Sequence, residues 1–430
     1  MITLESIFSK ENLKQALSQV IRNKGAPGID GMTVDEIIPW IYAHPNQLTN
    51  EIMSESYRFS PIRRVYIPKA DGKQRPLGIP SVIDRVVQQA IAIALNEMYD
   101  SSFSNGSYGF RHNKSAHDAV KTATVFLNMG YTYVIDLDLK SFFDMVNHEF
   151  LLQVLSNRIK DKRVLKLINK ILKTEIIDGM ELIKPSKGLT QGAPCSPVLA
   201  NIILDLLDKE LEKRGHKFCR YADDVIIFCK SQRAAERTYE SISMFIEKKL
   251  HLIINKEKTK VGHINSTMKF LGFGFAKLKV NGNRSYRPIV HKKAKKALRN
   301  DLRKILNKKC PKGIERTKEI TNEFLMGWAH YFALGITISN MTKTESWIRH
   351  KIRAIYLKAW KRNSTKDENF RKLNTNSANR CHTIANSSLG IWAKAKFANR
   401  IITKDIIHRQ WGWMNITEIV KYKTWEILGY

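Results

Sequence analysis

Cysteine is sparse in this chain, with five in 430 residues: Cys195, Cys219, Cys229, Cys310 and Cys381, scattered and never forming a CxxC pair. That spacing gives neither a disulfide framework nor a zinc site. Long hydrophobic runs are also missing. No apolar segment is long enough to cross a bilayer, and Met1 to Lys10 lacks a signal-peptide core, so a cytoplasmic protein is expected. Acidic residues are few beside basic ones. The 40 Asp+Glu face 72 Lys+Arg, and a formal net charge of +32 exceeds what solubility requires, which implies a large polyanionic partner. The basic residues run through the whole chain and do not cluster beside a lipid anchor, which favours nucleic acid over a membrane surface. With 43% hydrophobic residues, the chain has enough apolar content to fold, and its length suits more than one domain.

The scarce acids gather in telling places. Phe218 to Phe228 reads Phe-Cys-Arg-Tyr-Ala-Asp-Asp-Val-Ile-Ile-Phe, two β-forming runs around a tight turn, so a hairpin with Asp223 and Asp224 at its tip is expected. Adjacent carboxylates repel unless a cation balances them, and Mg²⁺ is the hard ion suited to carboxylates and phosphates. The plainer reading is that both are turn formers. Tyr133 to Leu139 alternates as a strand that puts Asp136 and Asp138 on one face, with Phe142-Phe143-Asp144 following.

Around these stretches the chain reads as a mixture of helices and hairpins. Met1 to about Ser54 is helical but interrupted at Asn23 to Thr33 by a glycine-rich loop carrying Lys24. Arg63 to Pro80 signals a hairpin crowded by Lys69, Lys73 and Arg75. An amphipathic helix begins after Ser81 and leaves Asp84, Arg85, Gln88 and Gln89 off its apolar face. Ser107 to Arg111 is a loop, and Gly188 to Pro197 is a turn holding Gln191 that launches another helix. A short strand is expected at Leu252 to Ile254, just before Lys256 to Lys260. Past about Val280 the composition changes: Lys292, Lys295, Arg299 and Arg303 line one helix face and Ala294, Leu298, Leu302 and Ile305 the other. Such a basic face is either solvated or grips a duplex. Asn363 to Ser377 is polar and reads as a linker, and the tail to Tyr430 mixes Trp with Lys and Arg.

In this order the blocks resemble the reverse transcriptases encoded by bacterial group II introns. The resemblance is carried by Asn23 to Gly31, Ile67-Pro68-Lys69 with Arg75 to Pro80, Ser107 to Arg111, Asp138 with Phe142-Phe143-Asp144, Gln191-Gly192 with Ser196-Pro197, Tyr221 to Asp224, Lys258-Thr259 and Leu271-Gly272-Phe273. It implies an α+β right-hand polymerase: an N-terminal extension over 1–55, fingers and palm over 56–276, a helical thumb over 277–362, then a linker and small DNA-binding module over 363–430. It further implies RNA-directed DNA synthesis with intron splicing assistance and retrohoming, on an RNA template and intron RNA, with a DNA primer or target and dNTPs. Asp138, Asp223 and Asp224, with the backbone carbonyl of Leu139, would hold two Mg²⁺. Asp136 stays the alternative to Asp138. Lys69 and Arg75 match triphosphate contacts, Phe143 the gate against a ribose 2′-hydroxyl, Gln191 the residue that orients the nascent pair, and Lys258 an acid for pyrophosphate. Lys24, Arg111, Lys292, Lys295, Arg299 and Arg303 are expected to touch nucleic acid. Thr190 stands where the family commonly has Pro, which puts the intron subclass in doubt, and no endonuclease pattern follows the tail, so target cleavage is not expected. Two other readings stand beside this one: a stand-alone enzyme, for example in phage defence, and a non-catalytic RNA-binding scaffold.

Overall fold

The computed structural model describes residues 2–68, 72, 74–264, 268–280, 283–373 and 378–419. The chain divides into two compact units, Met1–Ile264 and Asn265–Tyr430.

The first unit opens with four helices, α1 (Leu4–Ile7), α2 (Lys10–Arg22), α3 (Ile37–Ala43) and α4 (Gln47–Met53), then the antiparallel strands β1 (Ile62–Pro68) and β2 (Gln74–Ile79). Helix α5 (Val82–Tyr99) starts at Ser81, whose hydroxyl caps the Asp84 amide, and α6 (Ala116–Asn128) starts at a Ser115/Asp118 capping box. Strand β3 (Tyr133–Asp138) leads into α7 (Phe142–Met145), α8 (His148–Ser156), α9 (Lys162–Leu172) and the short strands β4 (Ile176–Asp178) and β5 (Glu181–Ile183). Then follow α10 (Ser196–Lys213), β6 (Lys217–Tyr221), β7 (Asp224–Cys229), α11 (Gln232–Lys249) and β8 (Lys260–His263). One sheet has the order β2-β1-β4-β5, the other β6-β7-β3-β8.

Strand β7 is buried from Val225 to Cys229, as the unbroken apolar run Val-Ile-Ile-Phe requires. One core joins its Val225 and Ile227 to Ile135 and Leu137 of β3 and to the apolar residues of α5 and α10. This central sheet, covered by long helices, is the rigid base that carries the acidic residues. Among the described residues no helix is long and apolar enough to cross a membrane.

The second unit pairs β9 (Phe273–Val280) with β10 (Asn283–Val290) and continues as helices α12 (Lys292–Ile305), α13 (Ile314–Phe332), α14 (Ile338–Ala359), α15 (Asn363–Leu373), α16 (Ala378–Asn386) and α17 (Ile391–Phe397). The mixed, largely antiparallel sheets followed by a helical region are the α+β class expected from the sequence.

Three local expectations are corrected. Asn363 to Leu373 is a helix and not a linker: Phe370 is fully buried with its ring 5.7 Å from Trp360, and Arg371–Asp367 and Lys372–Glu368 ion pairs brace the exposed side. One aromatic anchor outweighed a polar composition. Asp84, Arg85 and Gln88 are buried instead of lying off the packed face. Asp84 accepts from the Tyr57 hydroxyl at 2.7 Å and the Ser60 amide at 3.0 Å, and Arg85 donates to the Ala26 carbonyl at 2.8 Å. Leu252 to Ile254 makes a single bridge, Ile254 to Leu139, because the chain turns at once around Asn255.

Candidate active site

Backbone register brings the acids together. Strands β3 and β7 are antiparallel neighbours, and their pairing ends with Asp138 opposite Asp224. Strands β6 and β7 close with Tyr221 opposite Asp224, so Ala222 and Asp223 form the tip of the hairpin. Ala222 has φ 56°, a left-handed conformation costly for a residue with a Cβ. Asp223 is half-buried and Asp224 exposed. Burial pushes the Asp223 carboxyl above the usual carboxylate range, the charge of Asp138 adds to that, and Arg75 and Arg220 pull the other way.

Asp138 is fixed from the opposite side by the Asn255 to Thr259 turn. Its amide donates to the Thr259 hydroxyl at 3.2 Å, its carbonyl accepts from the Asn255 amide at 2.8 Å, and its carboxylate lies 3.6 Å from the Lys258 ammonium. Asp136, two residues earlier, stands in register with Ile226 and Lys260, inside the sheet and away from the hairpin tip. Leu139 continues β3 and is buried.

Among the described residues no three His, Cys, Asp or Glu side chains are arranged to hold a metal ion as they stand. The chemistry of the site nevertheless suits a hard cation. Asp138 lies close enough to raise the proton affinity of Asp223, and this concentration of carboxylates on a half-exposed strand edge carries negative charge that a divalent ion would balance.

The neighbouring residues are tied to the same frame. Helix α7 is entered through Ser141 at φ 48°, and the carbonyl of half-buried Phe143 accepts from the Leu189 amide at 2.6 Å. Two residues on, the Gln191 carbonyl accepts from the Gly78 amide of β2 at 2.7 Å. A Cβ on Gly192 would lie 2.7 Å from the Gly78 carbonyl oxygen, so the loop and the strand touch backbone to backbone. Arg75 sits exposed on β2, and its charge reaches Asp223. Lys69 lies outside the described residues. Lys24 is exposed at φ 45° after α2. On α12, Lys292, Arg299 and Arg303 are exposed and Lys295 half-buried, opposite buried Leu298 and Leu302; the Arg303 guanidinium lies 5.9 Å from the Trp347 ring centre.

Arg111 is expected at nucleic acid but braces its own loop. Its guanidinium donates to the Asp100 carboxylate and carbonyl, each at 2.7 Å, and to the carbonyls of Ser104 and Ser107 at 2.7 and 3.1 Å. Four of its five N–H donors are thereby engaged by protein acceptors.

Sequence reading passed over the group behind the turn. Arg220 and Asp208 have fully buried side chains joined at 2.6 Å, and Arg220 also bonds Asn201, Ser107 and the Ala222 carbonyl. The available signal was a charged residue flanked by Phe218-Cys219 on one side and Tyr221 on the other, inside a strand expected to pack.

Two family models match this chain. "Reverse transcriptase (RNA-dependent DNA polymerase)" matches residues 67–275, and "Group II intron, maturase-specific domain" matches residues 295–374. The chain is 34% identical over 309 residues to "Protein YkfC" of Escherichia coli K12, covering 63% of this chain and 81% of that protein. It is 28% identical over 323 residues to "Group II intron-encoded protein LtrA" of Lactococcus lactis, covering 60% of this chain and 54% of the relative. It is 29% identical over 318 residues to "Putative COX1/OXI3 intron 2 protein" of Saccharomyces cerevisiae, covering 60% and 37%. The chain thus spans about half or less of these two intron proteins.

Proposed function

The chain belongs to the group II intron-encoded family of RNA-directed DNA polymerases with a maturase-specific domain, and from that premise we propose that it copies an RNA template into DNA at the β3–β7 edge and binds intron RNA to assist splicing and retrohoming. The observation that carries the proposal is the meeting of Asp138 with the Asp223–Asp224 turn, in register across two central strands.

In this reading residues 56–276 form fingers and palm, and 277–362 a thumb. Asp138, Asp223 and Asp224, with the Leu139 carbonyl, would hold Mg²⁺, which supplies the charge that activates a primer 3′-hydroxyl and stabilises departing pyrophosphate. Arg75 offers a planar fork to the incoming triphosphate, assisted by Lys69. Phe143 stands where a ribose 2′-hydroxyl would have to fit, and Gln191 orients the new base pair. Lys258, beside Asp138, donates a proton to the leaving group. Lys24 and the exposed basic residues of α12 contact RNA backbone.

The test is extension of a DNA primer on an RNA template with dNTPs and Mg²⁺. Wild-type protein is expected to extend it, and Asp223→Ala to lose about a thousandfold in rate. Protein that binds RNA tightly but extends no primer would overturn the polymerase assignment in favour of an RNA-binding scaffold. Splicing assistance is favoured by the maturase-specific match over 295–374. It is measured separately, as faster splicing of a flanking group II intron at low Mg²⁺.

A further inference from the structure

All five N–H groups of the buried Arg220 guanidinium are engaged. Nε donates to Asp208 Oδ1 and Oδ2 at 2.8 and 3.0 Å, Nη2 to Asp208 Oδ2 at 2.6 Å and Ser107 Oγ at 2.8 Å, and Nη1 to Asn201 Oδ1 at 2.9 Å and the Ala222 carbonyl at 3.0 Å. The last of these bonds reaches the acidic turn itself. The Ala222 carbonyl belongs to the peptide plane whose other side is the Asp223 amide, so holding that oxygen sets the tilt from which the Asp223 side chain departs. Ala222 is also the residue kept at φ 56°, a conformation that persists only when its surroundings impose it.

The surroundings do impose it. Asn201 donates to the Gly109 carbonyl at 2.9 Å, the Tyr108 amide to the Arg220 carbonyl at 2.8 Å, and the Arg220 amide to the Gly106 carbonyl at 2.8 Å. A Cβ on Gly109 would come within 2.3 Å of the Ala222 nitrogen. Helix α10, the Gly106 to Gly109 loop and the acidic turn therefore meet at one side chain. Stability alone is a poor explanation, because removing two charges from water offsets most of what their attraction returns, and an apolar pair of similar volume commonly folds as well. Burial raises the Asp208 carboxyl and the guanidinium opposes that rise, so each partner keeps the other's charge tolerable.

We propose that Arg220, neutralised by Asp208 and steered by Asn201, is a positioning residue that holds the Ala222–Asp223 peptide so that the Asp223 carboxylate is aimed for cation binding. The inference rests on the polymerase reading above, and it adds that the aim of Asp223 is set from behind the turn, by a group that touches neither substrate nor metal.

The test uses metal-free full-length protein and two variants, Arg220→Lys and the double replacement Arg220→Met with Asp208→Leu. An ammonium keeps Asp208 neutralised but cannot bridge the carboxylate, Ser107, Asn201 and the Ala222 carbonyl together. The readouts are the melting temperature, deuterium uptake by the 218–224 peptide, Mn²⁺ affinity from electron paramagnetic resonance, and kcat and KM for dNTP. Both variants are expected to weaken Mn²⁺ binding and lower kcat by about ten- to a hundredfold, the size seen for groups that orient metal ligands. Faster exchange in 218–224 should accompany this, with KM within about twofold of wild type; the double variant should melt close to wild type. Wild-type Mn²⁺ affinity and kcat in a folded variant would overturn the proposal, and Arg220→Lys decides if the double variant fails to fold. Asp223→Ala separates the two readings. If it keeps both Mn²⁺ binding and extension, the polymerase assignment at this turn fails; if it loses both while the Arg220 variants keep them, only the positioning role fails.

Discussion

Charge is used in opposite ways by the acidic hairpin and by helix α12. Around β6–β7 the charged groups are few and engaged: Arg220 and Asp208 are wholly buried, and Asp223 is half-buried and shifted by burial and by Asp138. On α12 they are many and mostly exposed, with Lys292, Arg299 and Arg303 in solvent and only Leu298 and Leu302 buried beneath. Buried charge fixes direction because each group must find a partner in a set geometry. Exposed charge provides a field that a polyanion meets without demanding one pose. The first kind suits chemistry at a point, the second suits grip along a strand.

Substitutions can break or sharpen this contrast. The largest effect is expected from Asp208→Ala, which strands the Arg220 charge in the core. It should lower unfolding free energy by about 3–5 kcal/mol in urea denaturation, and a loss below about 1 kcal/mol would show that the buried pair is less constrained than its geometry indicates. Phe143→Ala should admit ribonucleotides, reducing discrimination against rNTPs by about ten- to a hundredfold in paired kcat/KM measurements; unchanged selectivity would remove the gate assignment.

Replacing Lys292, Lys295, Arg299 and Arg303 together by Gln should weaken RNA binding severalfold. It should also flatten the plot of log affinity against log salt by roughly 0.7 per lost single-strand phosphate contact, while extension at saturating template stays unchanged. A fall in the saturated rate would mean that α12 also positions the reacting groups. The smallest effect is expected from Asp223→Asn in metal-free protein. A carboxyl whose pKa is raised by folding destabilises the native state once pH exceeds its unfolded value, so the amide should melt higher at neutral pH. That advantage should fade as pH falls below the ordinary carboxylate range, as a series of melting curves would reveal.

The parts legible in the sequence were those with a short period or a local turn signal. The alternation from Tyr133 to Leu139 and the Val-Ile-Ile-Phe run announced the two strands, and the ordered blocks announced the family. What stayed hidden depended on distant partners. Nothing near Arg111 says that its fork turns back to Asp100, nothing near Asp84 announces Tyr57, and Arg220 meets Asp208 only because α10 packs behind β6. Helix α15 was hidden for another reason, since Phe370 and Leu373 alone among polar residues give almost no periodic signal. Register also separated two acids that alternation had left equivalent, setting Asp138 at the hairpin tip and Asp136 opposite Lys260.

The backbone contact between Gly78 and the Gln191–Gly192 loop carries a mechanical consequence. With a hydrogen bond on one side and no room for even a methyl group on the other, β2 cannot tilt without dragging that loop along. Arg75 rides on the same strand, so a displacement of β2 that moved Arg75 would carry the Gln191 backbone with it. Under the roles proposed for Arg75 and Gln191, triphosphate contact and pair orientation would be geared to a single lever.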